Sequence, residues 1–344
     1  MVTKSFQTKL FQMTFPSGLR SGPVLVILPI LLAGCAGTHY KSPAQAATPP
    51  VTIASARKLV AAGDIACDPQ MSKFNHGEGT RTWCRQKATS DLAIALKPDA
   101  VLALGDNQYE NGTLEKFRAS YDPSWGRLKS LTYATPGNHE YHISGAADYF
   151  AYFGERAGDP KKGYYSFDLG AWHIISLNSN CVHVGCEKSS PQERWLREDL
   201  KKNTGKCTLA FWHAPRFSSG LHGDSAETAA FWSDLYKAGA DVVLTGHDHD
   251  YERFAPQTPA GILDKDHGIR QFVVGTGGKN QRGFLRHVAR HRNPNSEVRH
   301  TGAFGVLELN LRPDGYDWFF VAEHTEGFSD SGSGQCHLAS KRAE

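Results

Sequence analysis

The sequence predicts an α/β fold, and three observations carry that prediction. Short apolar runs recur after Lys58, stretches of helical periodicity separate them, and run after run ends in polar residues instead of more core. Composition agrees: 40% apolar and 21% charged residues are the proportions of an ordinary globular protein and exclude a disordered or fibrous one. The 344 residues suffice for one large domain or two small ones, and without an internal repeat the chain beyond its N-terminal region reads as one.

The N-terminus comes first. Lys4, Lys9 and Arg20 precede an apolar run at residues 24–32 that is too short to span a bilayer comfortably and ends in Leu32-Ala33-Gly34-Cys35. A basic lead, a short apolar core and small residues make residues 1–34 a signal peptide. The last four residues resemble the lipobox of bacterial lipoproteins. That resemblance implies cleavage before Cys35, a diacylglyceryl group on its thiol, and an exported protein anchored to a membrane and facing the periplasm or the exterior. An ordinary secretory signal with an incidental cysteine is the alternative. Residues 35–57, rich in Ala, Pro, Thr and Ser, read as a flexible tether. Lys4, Lys9 and Arg20 are the only charged residues before Cys35; removing these 3 from 38 leaves 35 basic against 35 acidic residues. A neutral mature chain offers no basic stripe for nucleic acid.

Six cysteines remain after Cys35, an even number that suits disulfides in an oxidising compartment, although six allow about 15 pairings. Proximity in sequence suggests Cys67 with Cys84 and Cys181 with Cys186. Cys207 and Cys336 are then left to pin the tail, and free structural thiols are the alternative.

The runs at 59–62, 100–104, 132–135, 208–212 and 241–245 each suit a buried strand. Residues 164–179, with a Leu169-Gly170 turn, suit a hairpin. Residues 272–274, and the pair 306–311 and 318–321 joined by Arg312-Pro313-Asp314-Gly315, suit a further sheet region. Ser190-Pro191-Gln192-Glu193 starts a helix: a capping serine, proline at the first helical position and glutamate three residues after the cap, with Trp195, Leu196 and Leu200 on one face. Residues 83–96 and 225–238 have similar periodicity. The domain is expected over 58–325, and the tail 326–344 is expected to be loose except where Cys336 tethers it.

Five of these strands run straight into Gly63-Asp64, Gly105-Asp106, Gly137-Asn138-His139-Glu140, His213 and Gly246-His247-Asp248-His249. Ligands of open α/β sheets gather at the carboxyl ends of strands, so the five ends point to a single site. Their side chains are oxygen and nitrogen donors suited to hard or borderline ions. They are numerous enough for two metals about 3.5–4 Å apart that share a carboxylate.

In this order the motifs resemble those of the calcineurin-like metallophosphoesterases, and most of all the purple acid phosphatases. Each motif alone is weak; five in order are specific. The resemblance implies a four-layer α/β/β/α sandwich. Most of the superfamily opens with Asp-x-His, whereas position 66 here is alanine. Tyr109, three residues after Asp106, matches the tyrosine that binds ferric iron in purple acid phosphatases, and a phenolate is a hard donor suited to Fe(III). By resemblance, Asp64, Asp106, Tyr109 and His249 hold one ion and Asp106, Asn138, His213 and His247 the other, with Asp106 bridging; the pair is Fe(III) with a divalent Zn, Fe or Mn. His139 matches the catalytic histidine, Glu140 is expected to orient its ring, and His222 is similar to a substrate-contacting histidine. The implied reaction is hydrolysis of phosphomonoesters by in-line attack of a metal-bound hydroxide, without a phosphoenzyme, His139 assisting the leaving alcohol. The same core serves phosphodiesterases and nucleotide hydrolases. A non-catalytic surface binding lipoprotein is the remaining alternative, against which stands the filled ligand set. Asp248 and Asp250 are expected to face solvent or brace the histidines. Gly275-Thr276-Gly277-Gly278 lacks the lysine and helix of a phosphate-binding loop and suits a tight turn near the site.

Overall fold

The computed structural model describes residues 55–282, 292–323 and 328–337. The signal peptide, Cys35 and all but the last residues of the tether lie outside the described residues. No helix among the described residues is long and apolar enough to cross a membrane.

Among the described residues thirteen strands form two sheets. The first contains β1 (Arg57–Ala62), β2 (Ala100–Leu104), β3 (Thr132–Thr135), β11 (Gly305–Arg312), β12 (Gly315–Ala322) and β13 (Asp330–Gln335), in the order β13-β12-β11-β1-β2-β3. The second contains β4 (Tyr165–Leu169), β5 (Trp172–Ser176), β6 (Cys207–Phe211), β7 (Val242–Thr245), β8 (Tyr251–Phe254), β9 (Arg270–Val274) and β10 (Ser296–His300), in the order β10-β8-β9-β7-β6-β5-β4. Each sheet contains a parallel block continued by antiparallel strands: β1-β2-β3 at one edge of the first sheet and β5-β6-β7-β9 at the centre of the second. Parallel strands send their carboxyl ends to one edge, which is why residues far apart in sequence meet.

Continuous apolar runs arise because the central strands are buried on both faces. In β7, Val242 and Leu244 point into the core between the sheets, while Val243 points into a second core. That second core lies under helices α3 (Pro191–Lys202) and α4 (Ala229–Lys237) and includes Leu196, Leu200, Phe231 and Trp232. Helix α1 (Gln86–Ala95) packs against β11 of the other sheet, and α2 (Ala147–Phe153) adds Tyr149, Phe150 and Phe153 to the first core. These are the expected four layers. The α3 cap forms as expected: Ser190 accepts a hydrogen bond from the Glu193 N–H at 3.2 Å.

The two cysteine pairs suggested by proximity and the pair left over, Cys207–Cys336, are all disulfides. The loose tail requires correction, and with it the domain limit at 325. Residues 330–335 form β13, paired antiparallel to β12 along its length. The segment Asp-Ser-Gly-Ser-Gly-Gln has no apolar residue to signal a strand. It is held instead by Asp330, which accepts hydrogen bonds from Tyr251 Oη at 2.6 Å and Arg253 Nε at 2.7 Å, and by the Cys207–Cys336 bridge. Gly332 is required where it stands: a Cβ there would lie 2.3 Å from the Trp318 ring.

Candidate metal centre

The strand ends converge as expected. Asp64 follows β1, Asp106 follows β2 and His247 follows β7, with φ of 59°, 46° and 74°. Such left-handed backbone is costly for residues with a Cβ and clusters at functional sites. Gly137 precedes Asn138 because a Cβ at 137 would lie 2.1 Å from Asp106 Oδ1.

Two groups of donors share one atom. In the first, Tyr109 Oη lies 2.7 Å from Asp64 Oδ1, 3.0 Å from Asp106 Oδ2 and 3.1 Å from His249 Nε2. In the second, His213 Nε2 lies 3.2 Å from Asp106 Oδ2 and 3.2 Å from His247 Nδ1. Asp106 Oδ2 belongs to both. Asn138, on the β3 loop, is exposed.

The chemistry of this donor set fits metal ions. His213 Nδ1 lies 2.9 Å from the Leu104 carbonyl, an acceptor only, so Nδ1 carries a proton and Nε2 is the atom left to face Asp106 and His247, where a proton or a metal cation must sit. His249 Nδ1 likewise faces the Asn280 carbonyl and, at 2.9 Å, its Oδ1, so its Nε2 lone pair faces Asp64 Oδ1 across 3.3 Å. The single Tyr109 proton cannot serve three acceptors. Buried acceptors aimed at one another with too few protons are satisfied by cations.

Electrostatics agree. Burial alone would raise the Asp64 and Asp106 carboxyls, but His249 beside Asp64 and His213 beside Asp106 outweigh it and hold both below the usual range. Burial would lower His213; Asp106 overcomes it and pushes the ring up to about 10. Burial and then His213 push His247 down to about 4. Burial, with Asp106 and Asp64, raises the Tyr109 phenol well above its usual value. Two buried carboxylates thus draw a proton onto His213, and a metal cation at the same place meets the same demand.

Two histidines approach the centre from the sides. The His139 ring lies 4.3 Å from the Tyr109 ring, and its Nε2 is 3.8 Å from Asp106 Oδ2. The His222 ring lies 4.1 Å from that of His247. Glu140 does not orient His139, and its expected role is corrected. Its carboxylate is fully buried and accepts three backbone N–H bonds, from Asn107 at 2.8 Å, Gln108 at 3.1 Å and Gly137 at 2.7 Å. His139 Nδ1 is instead bonded to the Glu110 carbonyl at 2.6 Å. Burial and Asp106 push the Glu140 carboxyl up to about 8, the N–H donors pulling the other way. Asp248 and Asp250 do not face solvent; both are buried, and Asp248 Oδ1 accepts hydrogen bonds from the His222 backbone N–H and Nδ1, each at 2.9 Å. No sequence motif marks Asn280 or Lys279. Their one signal is position, directly after the glycine-rich turn expected near the site.

A profile of the calcineurin-like phosphoesterase family matches residues 59–251, which contain every expected metal donor. The chain is 30% identical to purple acid phosphatase 15 of Arabidopsis thaliana over 232 residues, 57% of this chain and 43% of that protein. It is 33% identical to acid phosphatase type 7 of Homo sapiens over 187 residues, 46% of this chain and 41% of that protein. The chain therefore spans about half the length of such relatives. In fold it is similar to a purple acid phosphatase from yellow lupin seeds, with a TM-score of 0.66 at 17% identity over 81% of this chain and 54% of that one. It is also similar to a dimetal phosphatase from Danio rerio, with a TM-score of 0.56 at 15% identity over 81% of this chain and 99% of that one. With the motifs, the sheets and the family profile in agreement, the chain belongs to the calcineurin-like phosphoesterase family.

Proposed function

We propose that the protein is a metal-dependent phosphomonoesterase of the purple-acid-phosphatase kind. The observation that carries this reading is Asp106 Oδ2, common to two groups of buried donors, as a carboxylate shared by two ions must be. Relatives named purple or acid phosphatases support the substrate class. Asp64, Asp106, Tyr109 and His249 would hold a ferric ion, and Asp106, Asn138, His213 and His247 would hold a divalent Zn, Fe or Mn. When bound, the ions supply Lewis acidity to a phosphoryl oxygen and make water a stronger acid.

The protein's own groups do the rest. His139, fixed through Nδ1 by the Glu110 carbonyl, presents Nε2 to the centre and holds a proton for the leaving alcohol. His222, braced by Asp248, faces His247 from the other side and orients the phosphate ester. The membrane anchor at Cys35 belongs to the same proposal.

The test is metal content per chain together with kcat/KM for an aryl phosphomonoester and its matched diester. About two ions with one iron and a monoester preference are expected. A strong diester preference moves the substrate class to phosphodiesters. No metal, and none taken up on reconstitution, overturns the reading. Mass spectrometry of the membrane fraction checks the anchor: an unmodified Cys35 removes it.

A further inference from the structure

Lys279 stands where no ordinary packing demand would put it. Its side chain is 4% exposed, and its Nζ lies 4.4 Å from the centroid of the Tyr109 ring. Among the described residues it pairs with Glu110, a half-exposed residue beside that tyrosine. The backbone locks it in place: its N–H donates to the Asp64 carbonyl at 2.9 Å, and its own carbonyl accepts from the Cys84 N–H at 3.1 Å, next to the Cys67–Cys84 bridge. Burying an ammonium is costly unless it is well used. Here it faces the π-system of a residue assigned as a metal ligand.

We propose that Lys279 is a positioning and tuning residue for Tyr109: its ammonium, partly offset by Glu110, lowers the energy of the phenol π electrons and so sets how strongly that oxygen donates to the metal. This rests on the reading of Tyr109 as a ligand of ferric iron. A cation against one face of an aromatic ring stabilises its electrons electrostatically, the more so when water is excluded. Two carboxylates and a phenolate around one ion make a strongly electron-rich ligand set, and Lys279 draws back part of that charge without occupying a coordination position.

The test is the visible tyrosine-to-iron charge-transfer band of the full-length protein, with iron per chain and melting temperature measured alongside. Lys279→Met removes the cation, raises the donor level and moves the band to longer wavelength, by on the order of 10 nm for one lost cation–π contact. Glu110→Gln leaves the cation unopposed and moves the band the other way; its backbone carbonyl, which holds His139, is untouched. Lys279→Arg keeps the parent position. Opposite shifts distinguish tuning from a structural pin, which would move both variants alike or neither, and if Lys279→Met does not fold, a Glu110→Gln band that fails to move to shorter wavelength overturns the proposal. Unchanged bands at full iron content, or shifts of the same sign, overturn the proposal. A chain that hydrolyses monoesters with two ions but has no such band overturns it too, while the phosphatase reading stands. A chain whose band shifts as expected but that cleaves no monoester leaves the tuning and removes the phosphatase.

Discussion

Glu140 and Asp248 are both buried carboxylates beside a histidine at the metal centre, and they do different work. Glu140 gives its oxygens to three backbone N–H groups on two loops, those after β2 and β3. Asp248 gives its oxygens to the ring and backbone N–H of His222 and to the Ser218 hydroxyl. The first carboxylate therefore builds the scaffold that carries Asp106 and His139, and the second aims a working group. A carboxylate next to a histidine in sequence says little about which of these it does; what decides is where the donors lie.

The largest effect tests the side of the comparison on which a backbone carbonyl, not the neighbouring carboxylate, holds the histidine ring. His139→Ala is expected to lower kcat by about 10²–10⁴-fold, the usual contribution of a general acid, with metal content unchanged. Loss of metal would place His139 among the ligands and remove the distinction between the two loops.

Glu140→Gln comes next and reads in stability. Backbone N–H groups cannot reverse their role, so a glutamine amide turned toward Gly137 sets donor against donor. Denaturant unfolding at about pH 9, where the Glu140 carboxyl raised to about 8 is ionised, is expected to show a loss of about 2–3 kcal/mol. A stable variant with lowered kcat would return Glu140 to the task of orienting His139.

Asp248→Asn makes the contrast sharper because its partners adapt. The amide oxygen still accepts from His222, and the Ser218 hydroxyl can turn to accept from the amide nitrogen. Stability is expected to change less than in Glu140→Gln, while kcat/KM falls about 10–100-fold, as for removal of a charged orienting partner. Adding His222→Ala to Asp248→Asn is expected to cost little more, since both act as one unit. Full additivity in that double-mutant cycle would separate them.

How far the sequence shows these roles follows from what each depends on. The strand-end donors were legible because a run such as Ala100–Leu104 is buried on both faces and the chain turns polar at the sheet edge. The role of Glu140 was not: it depends on the N–H groups of Asn107 and Gln108, some thirty residues away, meeting its side chain. Asn280, which sets the proton on His249, comes from a different strand end again. Strands β8 and β13 were missed for opposite reasons. Tyr251–Phe254 carries Glu252, which accepts from the Ser219 N–H, and Arg253, which pairs with Asp330 and Glu297, and so resembles a loop; Asp330–Gln335 has no side chains that could make an apolar pattern.

The smallest effect comes from a carboxylate that has neither kind of work. Asp234, on α4, has one buried oxygen without a partner and stands against Glu193 of α3. Burial, then the hydrogen bond and charge of Glu193, push its carboxyl up to about 6 from 3.8. The folded protein therefore holds a proton that the unfolded chain has released, and stability falls as pH rises from about 4 to about 6. Asp234→Asn removes that penalty. Its stability relative to the parent is expected to be unchanged below about pH 4, to rise through the window and to level off above about pH 6. Because the group is partly exposed and screened by solvent, the gain is expected to stay below about 1 kcal/mol. Unfolding curves at pH 4 and pH 7 measure it. A gain equal at both values would mean that the carboxyl is not strained by Glu193, and that a buried carboxylate on this fold is tolerated without N–H donors or a histidine to serve.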